Sequence, residues 1–419
     1  MLKRILSFGN IVLISCSVIL AQNNSDKPRV EVEQINDHLY KIACIGNNSA
    51  HVLASVGNDG VLLVDAGFTG TSTELQDALE KLGGQPKYLI NTHAHLDHIG
   101  GNLAFGNSEI ISQAKAKEMM TKGLYLLYAI PEYAIPAKTF EDEMTLSFNG
   151  DTIKLIHMPN SHTACDAIVY FQESNVVALG DLVFPDWFPF IDLAEGGTLK
   201  NYTNNIQYFI DTFSPTTKFV TGHNRNITRD DLISYKKMLD ETTALVQDAI
   251  NRNMSYDEMV SQDILKDWES YNNGPFQTIK KDYWMGTIYS SLTGDRVVGK
   301  PAVIGDVINA WLDGDVKAAI DKYKSMKENN PDDYDFNEAY LNAFGYYLMG
   351  RDKIDDAIAV LKLNVEEYPQ SGNVYDSLGE AYAKAGNTES AIESYKKSLE
   401  LDPGNDNARQ KLTELTYNQ

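Results

Sequence analysis

The sequence predicts an α/β domain followed by an all-α domain. In the first part of the chain, short apolar runs typical of strands alternate with turn signals and amphipathic helices. Mixed strands and helices of this kind pack as an α/β sandwich. Beyond about Gly299 no convincing strand remains, and an internal repeat with a period of about 34 residues begins.

The elements of the first region follow from their residue patterns. Residues 61–64 are continuously apolar, as expected for a strand buried on both faces. Ser72–Leu82 has apolar residues at helical spacing and is followed by two glycines. Thr228 is a suitable N-cap for a helix over residues 230 to about 252. The other predicted elements are strands at 39–42, 51–55, 88–90, 110–111, 153–156, 167–171 and 176–179, and a helix near 114–120.

The second region repeats its small, aromatic and proline residues at a fixed spacing. Glycine and alanine let two helices approach closely, aromatic residues fill the space between them, and proline ends the second helix. The pattern resembles the tetratricopeptide repeat over residues 303–419, with an unrelated helical bundle as the alternative. Phe344, Gly345, Leu348, Ala357, Leu361, Asn364 and Pro369 recur as Leu378, Gly379, Tyr382, Ala391, Tyr395, Ser398 and Pro403; a degenerate earlier copy ends in Ala319, Tyr323, Met326 and Pro331, and Leu412 and Leu415 suit a capping helix.

Composition excludes several classes of protein. The chain has 419 residues and a formal net charge of -22. Binding to nucleic acid or to anionic lipid needs clustered lysine and arginine, so this acidity argues against both partners. Apolar residues make up 43 % of the chain, enough for a large core. Three cysteines are too few for a disulfide framework, and we expect Cys44 and Cys165 to be buried thiols, with pairing left open.

Residues 1–21 have the pattern of a secretory signal peptide. A basic start precedes an apolar stretch that ends at Leu20, and a polar run follows Ala21. We therefore expect cleavage after Ala21 and export to the periplasm or the extracellular space. A membrane anchor is disfavoured because the apolar run is shorter than the ~20 residues that a span needs. Lipidation at Cys16, within a lipobox-like sequence, is the other alternative. No later segment is apolar enough to span a bilayer.

The strongest chemical signal is the segment 91–101, which reads NTHAHLDHIGG. Imidazole and carboxylate groups are the ligand types that Zn²⁺ takes. Residues i and i+2 of an extended segment point to the same side, so His93 and His95 would face one point. Asp97 and His98 would then turn towards a second point. Two points predict two metal ions a few ångströms apart.

This segment matches the His-x-His-x-Asp-His hallmark of the metallo-β-lactamase superfamily, which the chain resembles over about residues 30–295. The other superfamily motifs follow in order after predicted strands, at Asp65, His162, Asp181 and His223. The resemblance implies an αββα metallo-β-lactamase-like sandwich. We place this domain at residues 28–298 and the all-α tetratricopeptide-repeat domain at residues 303–419.

The resemblance also implies a role for each residue of the site. Asp65 would support a ligand or the turn that carries it, as metal-bound histidines usually require. Two Zn²⁺ ions are expected, with iron or manganese as alternatives for the same donors. The implied ligands are His93, His95 and His162 for the first metal, Asp97, His98 and His223 for the second, and Asp181 for both.

A hydrolytic mechanism follows from such a site. Water that bridges two Zn²⁺ ions is acidified towards neutral pH, which supplies a hydroxide nucleophile without a serine or a cysteine. Asp97, which would orient this hydroxide, and Asp181 are therefore the predicted catalytic residues. Some β-lactamases of the superfamily have a cysteine ligand in place of Asp181, and Cys165 is not at that position. A bridging aspartate is typical of thioesterases, lactonases, sulfatases and nucleases, and the acidity disfavours the nucleases. The expected substrate is a small molecule with an ester, lactone, thioester or amide bond.

Substrate contacts and two other functions remain open from the sequence. Residues 183–192 follow Asp181 and are rich in aromatic residues, which would line a cleft or pack the loop onto the core. Trp187, Phe188 and Asn224 are the candidate substrate contacts. Residues 124–136 would form a flap or a buried connection. The alternatives to a hydrolase are an envelope binding protein that acts on a protein partner through its repeats, and a redox enzyme with one iron.

Overall fold

The computed structural model describes residues 27–46, 49–122, 130–275 and 279–417. These residues divide into two compact units, one between residues 27 and 301 and one from residue 302 onwards. The predicted signal peptide, including Cys16, and residues 124–129 of the predicted flap lie outside the described residues. Within the described residues, no helix has both the length and the apolar character needed to cross a bilayer.

The first unit contains two β-sheets. In the seven-stranded sheet, the strands lie side by side in chain order. They are β1 (Arg29–Gln34), β2 (Leu39–Ile45), β3 (Ala50–Gly57), β4 (Gly60–Val64), β5 (Pro86–Asn91), β6 (Glu109–Gln113) and β7 (Lys138–Phe140), antiparallel up to β4 and parallel from β4 onwards.

The second sheet has five strands and a different order. Its strands are β8 (Glu143–Phe148), β9 (Asp151–His157), β10 (Ala167–Phe171), β11 (Val176–Gly180) and β12 (Lys218–Thr221). They lie in the order β12-β11-β10-β9-β8, and only β11 and β12 are parallel. Each sheet therefore contains parallel neighbours whose carboxyl ends lie at the same edge.

Helices complete the first unit. The helix predicted at Ser72–Leu82 has those bounds in the structure. Thr228 is confirmed as an N-cap, because its side chain accepts from the Asp231 N–H while the Asp231 carboxylate accepts from the Thr228 N–H. The helices are α1 (Ser72–Leu82), α2 (Leu96–Ile99), α3 (Ala114–Lys122), α4 (Leu199–Thr212), α5 (Arg229–Asn251), α6 (Tyr256–Ser261) and α7 (Lys281–Thr293), with 3-10 turns at Thr69–Thr71, Gly100–Phe105, Glu132–Ala134 and Lys266–Tyr271.

Burial of alternate side chains arranges these elements in four layers. On β4, Leu62 faces a core between the two sheets, where it joins Leu155 of β9. The next residue, Leu63, faces the other way and packs with Leu75 of α1. A third core lies on the outer side of the second sheet and contains side chains of α4, α5 and α7, including the fully buried Trp284. The predicted αββα sandwich is confirmed.

The second unit is all-α, as predicted. Gly345 faces Leu361, and a Cβ atom on Gly345 would lie 2.5 Å from Leu361 Cγ. Gly379, in the next repeat, faces the ring of Tyr395 in the same way. Close helix packing therefore explains why these positions are glycine. The helices are α8 (Ile304–Asp313), α9 (Val316–Asn329), α10 (Glu338–Gly350), α11 (Ile354–Glu367), α12 (Gly372–Lys384), α13 (Thr388–Leu401) and α14 (Asp406–Tyr417).

Cys44 and Cys165 are both buried and free. Burial raises the pKa of the Cys44 thiol to about 12 and also raises the pKa of Cys165. Both are therefore uncharged thiols at neutral pH and pack as small apolar side chains.

Candidate metal centre

The seven predicted ligands lie at the edge where strands of both sheets end. The segment with His93 and His95 follows β5, Asp181 follows β11, and His223 follows β12. Carboxyl ends of parallel strands commonly form the binding edge of an α/β sheet. All seven side chains are buried, with 5 % exposure or less: His93, His95, Asp97, His98, His162, Asp181 and His223.

The backbone around the histidine motif changes conformation in the middle of the motif. His95 is extended, with φ -69° and ψ 147°, and is the N-cap of α2. His95 is thus extended and His93 lies at a bend just before it, while Asp97 and His98 lie on the helical turn. This change directs the two pairs to different points, as the residue spacing predicted.

The first group of side chains comprises His93, His95, His162 and Asp181, whose ligand atoms all lie within 4.8 Å of one another. His162 Nε2 is 3.0 Å from His95 Nδ1. Asp181 Oδ2 is 3.9 Å from His93 Nε2 and 3.8 Å from His162 Nε2. Three imidazole nitrogens and one carboxylate thus surround one point.

The second group comprises Asp97, His98, Asp181 and His223, also within 4.8 Å. His98 Nε2 is 3.1 Å from Asp181 Oδ1. His223 Nε2 is 3.2 Å from Asp181 Oδ2 and 3.3 Å from Asp97 Oδ2. Asp181 belongs to both groups, so its carboxylate has the position expected of a bridging ligand.

The donor set fits two divalent cations. Four buried polar atoms of the site have no hydrogen-bond partner in the described structure, although such atoms are normally paired. Imidazole nitrogen and carboxylate oxygen are zinc ligands, and a cation would satisfy the unpaired atoms. These atoms are His93 Nε2, Asp97 Oδ1, His98 Nε2 and Asp181 Oδ1; the last two lie 3.1 Å apart but are not aligned for a hydrogen bond.

The histidines differ in their pKa values when no metal is bound. In the first group, burial disfavours the charged form of His95, but Asp192 outweighs burial and raises its pKa. Burial, together with neighbouring histidines, lowers the pKa of His93 well below its usual value and that of His162 to about 4. Burial also disfavours the charged forms of His98 and His223, but adjacent carboxylates, Asp181 foremost, outweigh it. They raise the pKa of His98 well above its usual value and that of His223 to about 10.

Asp65 supports ligands of both groups. Its Oδ2 is 2.8 Å from His98 Nδ1 and accepts the Thr92 hydroxyl hydrogen at 2.8 Å. The Thr92 oxygen can then accept from His93 Nδ1, which is 3.1 Å away. In the neutral rings that a metal binds, the proton of both histidines therefore sits on Nδ1 and Nε2 is available to the metal. Asp65 thus contacts one ligand directly and another through Thr92, and its role in metal binding stays a prediction.

An apolar cluster lies against the histidines. The ring of Phe184 stacks on His223, with centroids 5.8 Å apart and planes at 12°. Phe190 lies 6.0 Å from His95 and 5.7 Å from His162, and its ring also contacts Tyr283 at 5.9 Å. Trp187, which is half-buried, packs on this cluster. Residues 183–192 therefore pack the loop and also place two aromatic rings against the histidines, while their contact with a substrate stays a prediction.

Phe188 differs from the prediction, whereas a substrate contact at Asn224 stays a prediction. Phe188 is fully buried in the core beside the second sheet, so it offers no surface to a substrate. A turn between Phe184 and Trp187 directs the neighbouring aromatic residues to different sides. Asn224 donates its amide hydrogen to the Pro185 carbonyl at 2.9 Å, so it ties two loops together.

The sequence did not single out Thr92, Phe184, Phe190 or Asp192. Asp192 Oδ2 lies 3.2 Å from His95 Nε2. Only their place in the chain could have pointed to these residues. Thr92 directly precedes the first histidine, and the other three belong to residues 183–192. Nothing in the sequence distinguished Phe190 from Phe188, because loop conformation decides which one faces the histidines.

Family models match both parts of the chain. The model described as Metallo-beta-lactamase superfamily matches residues 46–227, and the Tetratricopeptide repeat model matches residues 377–405. The chain therefore contains a metallo-β-lactamase superfamily domain followed by a tetratricopeptide repeat. Both resemblances seen in the sequence are confirmed.

Similar proteins match only part of the chain. A hydroxyacylglutathione hydrolase of Brucella anthropi is 26 % identical over 163 residues, which are 38 % of this chain and 54 % of that protein. One from a Synechococcus species is 31 % identical over 110 residues, 26 % of this chain and 39 % of that protein. A metallo-beta-lactamase from Pontibacter korlensis has a TM-score of 0.44 and 18 % identity, and the match covers 51 % of this chain and 99 % of that one. The chain thus spans about half or less of the two hydrolases.

Gly222 leaves the space that Asp181 occupies. A Cβ atom at this position would lie 2.2 Å from Asp181 Oδ1 and 2.8 Å from His98 Cε1. We expect Gly222→Ala to displace the shared carboxylate and to lower the metal content below that of the wild type, measured by elemental analysis. The control is Gly350→Ala, since no atom lies within 4 Å of a Cβ there. Full metal content in Gly222→Ala would contradict this role.

Metal binding should release protons. Because carboxylates raise the pKa of His98 and His223 in the metal-free site, both rings hold a proton at pH 7. A metal binds the neutral ring, so apparent affinity should rise with pH by about tenfold per unit for each displaced proton. Calorimetry in buffers of different ionisation enthalpy measures this release. A metal affinity that does not vary between pH 6 and pH 8 would exclude this release of protons.

Proposed function

We propose that this protein is an exported dinuclear zinc hydrolase. The observation that supports it most directly is the convergence of seven buried donor side chains in two groups that share Asp181. Two Zn²⁺ ions bound there would supply a hydroxide nucleophile near neutral pH and would polarise the bond under attack. No serine or cysteine nucleophile is required, and both described cysteines are buried thiols with raised pKa values.

Asp97 is suited to orient the nucleophile. Burial would raise the pKa of Asp97, but His98 and His223 outweigh burial and keep it below its usual value, so the side chain stays ionised. Its Oδ2 lies 3.3 Å from His223, while its Oδ1 has no hydrogen-bond partner in the described structure. An ionised carboxylate only accepts hydrogen bonds, so Asp97 can hold one hydrogen of a water molecule at the shared edge of the two groups.

The apolar cluster over the histidines suits the uncharged part of a substrate. Between them, Phe184 and Phe190 contact three of the five histidine rings, those of His95, His162 and His223. Aromatic walls with a few convergent polar groups are typical of small-molecule sites. They also keep water away from the reacting bond, which strengthens the electrostatic interactions inside.

The bond to be cleaved is an ester, lactone, thioester or amide. We favour a thioester, because two of the similar proteins are named hydroxyacylglutathione hydrolases. A bridging carboxylate at Asp181 also agrees with the thioesterase and lactonase branches that the sequence indicated. The repeats after residue 302 would bind a protein partner of the enzyme.

Zinc-loaded protein should hydrolyse at least one substrate in a panel of thioesters, lactones, esters and β-lactams. We expect His95→Ala and Asp181→Asn to lose at least about a hundredfold in kcat/KM, because even residues that only support metal ligands contribute 10- to 100-fold. His157→Gln is the matched control, since His157 lies outside both donor groups and its Nε2 is 3.2 Å from the Ala164 carbonyl oxygen.

The result of this panel separates the three functions. Two bound zinc ions and turnover support the hydrolase. One bound iron per chain with redox activity would support the single-iron enzyme instead. A protein that binds no metal and hydrolyses nothing would be a binding protein that acts through its repeats.

We also propose that residues 1–21 direct export and are removed after Ala21. The expected mature chain begins at Gln22, and intact-mass measurement of protein from the envelope or the medium checks this. Recovery of a lipid-modified chain that begins at Cys16 would support the lipobox alternative in place of cleavage after Ala21. A protein that keeps Met1 and stays in the cytoplasm would contradict export.

A further inference from the structure

Residues 190–192 contact two ligands of the first group. His162 Nδ1 lies 2.7 Å from the Phe190 carbonyl oxygen and donates to it, which leaves His162 Nε2 free. The Asp192 N–H donates to the His162 carbonyl oxygen at 2.8 Å. The Asp192 side chain reaches a different ligand, since its Oδ2 is 3.2 Å from His95 Nε2. One short segment therefore connects His162 and His95.

The Asp192 carboxylate is held in a fixed orientation. It is 4 % exposed. Its Oδ1 accepts the N–H of Ala194 at 3.1 Å and the N–H of Glu195 at 3.0 Å. Rotation of the carboxylate out of this plane would break both hydrogen bonds inside the protein, where an unpaired donor is unfavourable. Oδ2 is therefore held towards His95.

This orientation determines which nitrogen of His95 carries the proton. A carboxylate only accepts hydrogen bonds, so a neutral His95 must place its hydrogen on Nε2 to pair with Oδ2. The lone pair is then on Nδ1. Nδ1 is the atom that faces the other ligands, because it lies 3.0 Å from His162 Nε2. A carboxylate that orients a metal-bound histidine in this way raises the affinity of the site.

We propose that Asp192 is the positioning residue of the first metal, because it sets the tautomer and the ring orientation of His95. The inference depends on the proposed function only in requiring that the site binds metal. Asp65 differs from Asp192 in the ligands that it supports. It contacts His98 directly and His93 through Thr92, so it serves both groups, whereas the ligand that Asp192 contacts belongs to the first group alone.

Asp192→Asn tests this role with little change in shape. To keep the hydrogen bonds from Ala194 and Glu195, the Asn oxygen must take the place of Oδ1, so the amide NH₂ faces His95 Nε2. The NH₂ group donates, so it favours the tautomer with hydrogen on His95 Nδ1, which blocks the metal ligand atom. We expect one of the two metal equivalents to bind 10- to 100-fold more weakly, with the other unchanged.

The measurement is a competition titration of the full-length metal-free protein with Zn²⁺ and a chromophoric chelator, followed by Co²⁺ spectra of each equivalent. The matched control is Asp151→Asn. Asp151 is also buried, its Oδ1 accepts the Ser174 N–H at 2.8 Å, and its Oδ2 is 2.7 Å from His38 Nε2. His38 lies outside both donor groups, so both metal equivalents should keep their affinities in this control.

A second variant covers the case in which Asp192→Asn does not fold. Asp192→Ser keeps an acceptor for the backbone N–H groups but is too short to reach His95, so it should weaken the same equivalent. Wild-type affinity for both equivalents in a folded Asp192 variant would overturn the inference. Equal weakening of both would also overturn it. Two bound metals without turnover in the wild type would overturn only the proposed function, and a wild type that binds no metal would overturn both.

Discussion

Five imidazole rings and the carboxylates of Asp97 and Asp181 are buried within a few ångströms of one another. An isolated buried charge costs several kcal/mol, so these groups are stable together only as partners of one another or of bound cations. Asp181 is the centre of this arrangement, because its two oxygens face His98 on one side and His93, His162 and His223 on the other. The rest of the domain places these groups at one edge and keeps them there.

Each sheet contributes one support to the site. Asp65 follows β4 of the first sheet and holds His98 and, through Thr92, His93. The loop after β11 of the second sheet brings Asp192 to His95 and the Phe190 carbonyl to His162. The two sheets must therefore pack in the correct register before either metal position is complete. The metal site at this edge therefore depends on the packing of the core between the sheets, which contains Leu62 and Leu155.

The two regions of the chain were predictable to different degrees. The repeats were predictable almost residue by residue, because each marker position is set by contacts with a helix nearby in the chain, as Gly379 and Tyr395 show. The seven metal-site residues could be proposed because their residue types follow strands in the family's order, and the structure brings all seven together. The substrate contacts were less predictable. Phe188 and Phe190 are chemically alike, yet one is in the core and the other faces His95.

The sequence alone determined the layered α/β class, the repeats and the identity of the candidate donors. The layered class and the repeats follow from periodicity along the chain, whereas the full donor set follows from the resemblance of its motifs to the family. Only the tertiary structure decided which buried carboxylate supports which histidine. Asp192 lies 97 residues after His95 in the chain, and the 3.2 Å between them exists only after both sheets have packed. The same holds for Gly222, whose missing side chain leaves space for a carboxylate from another strand.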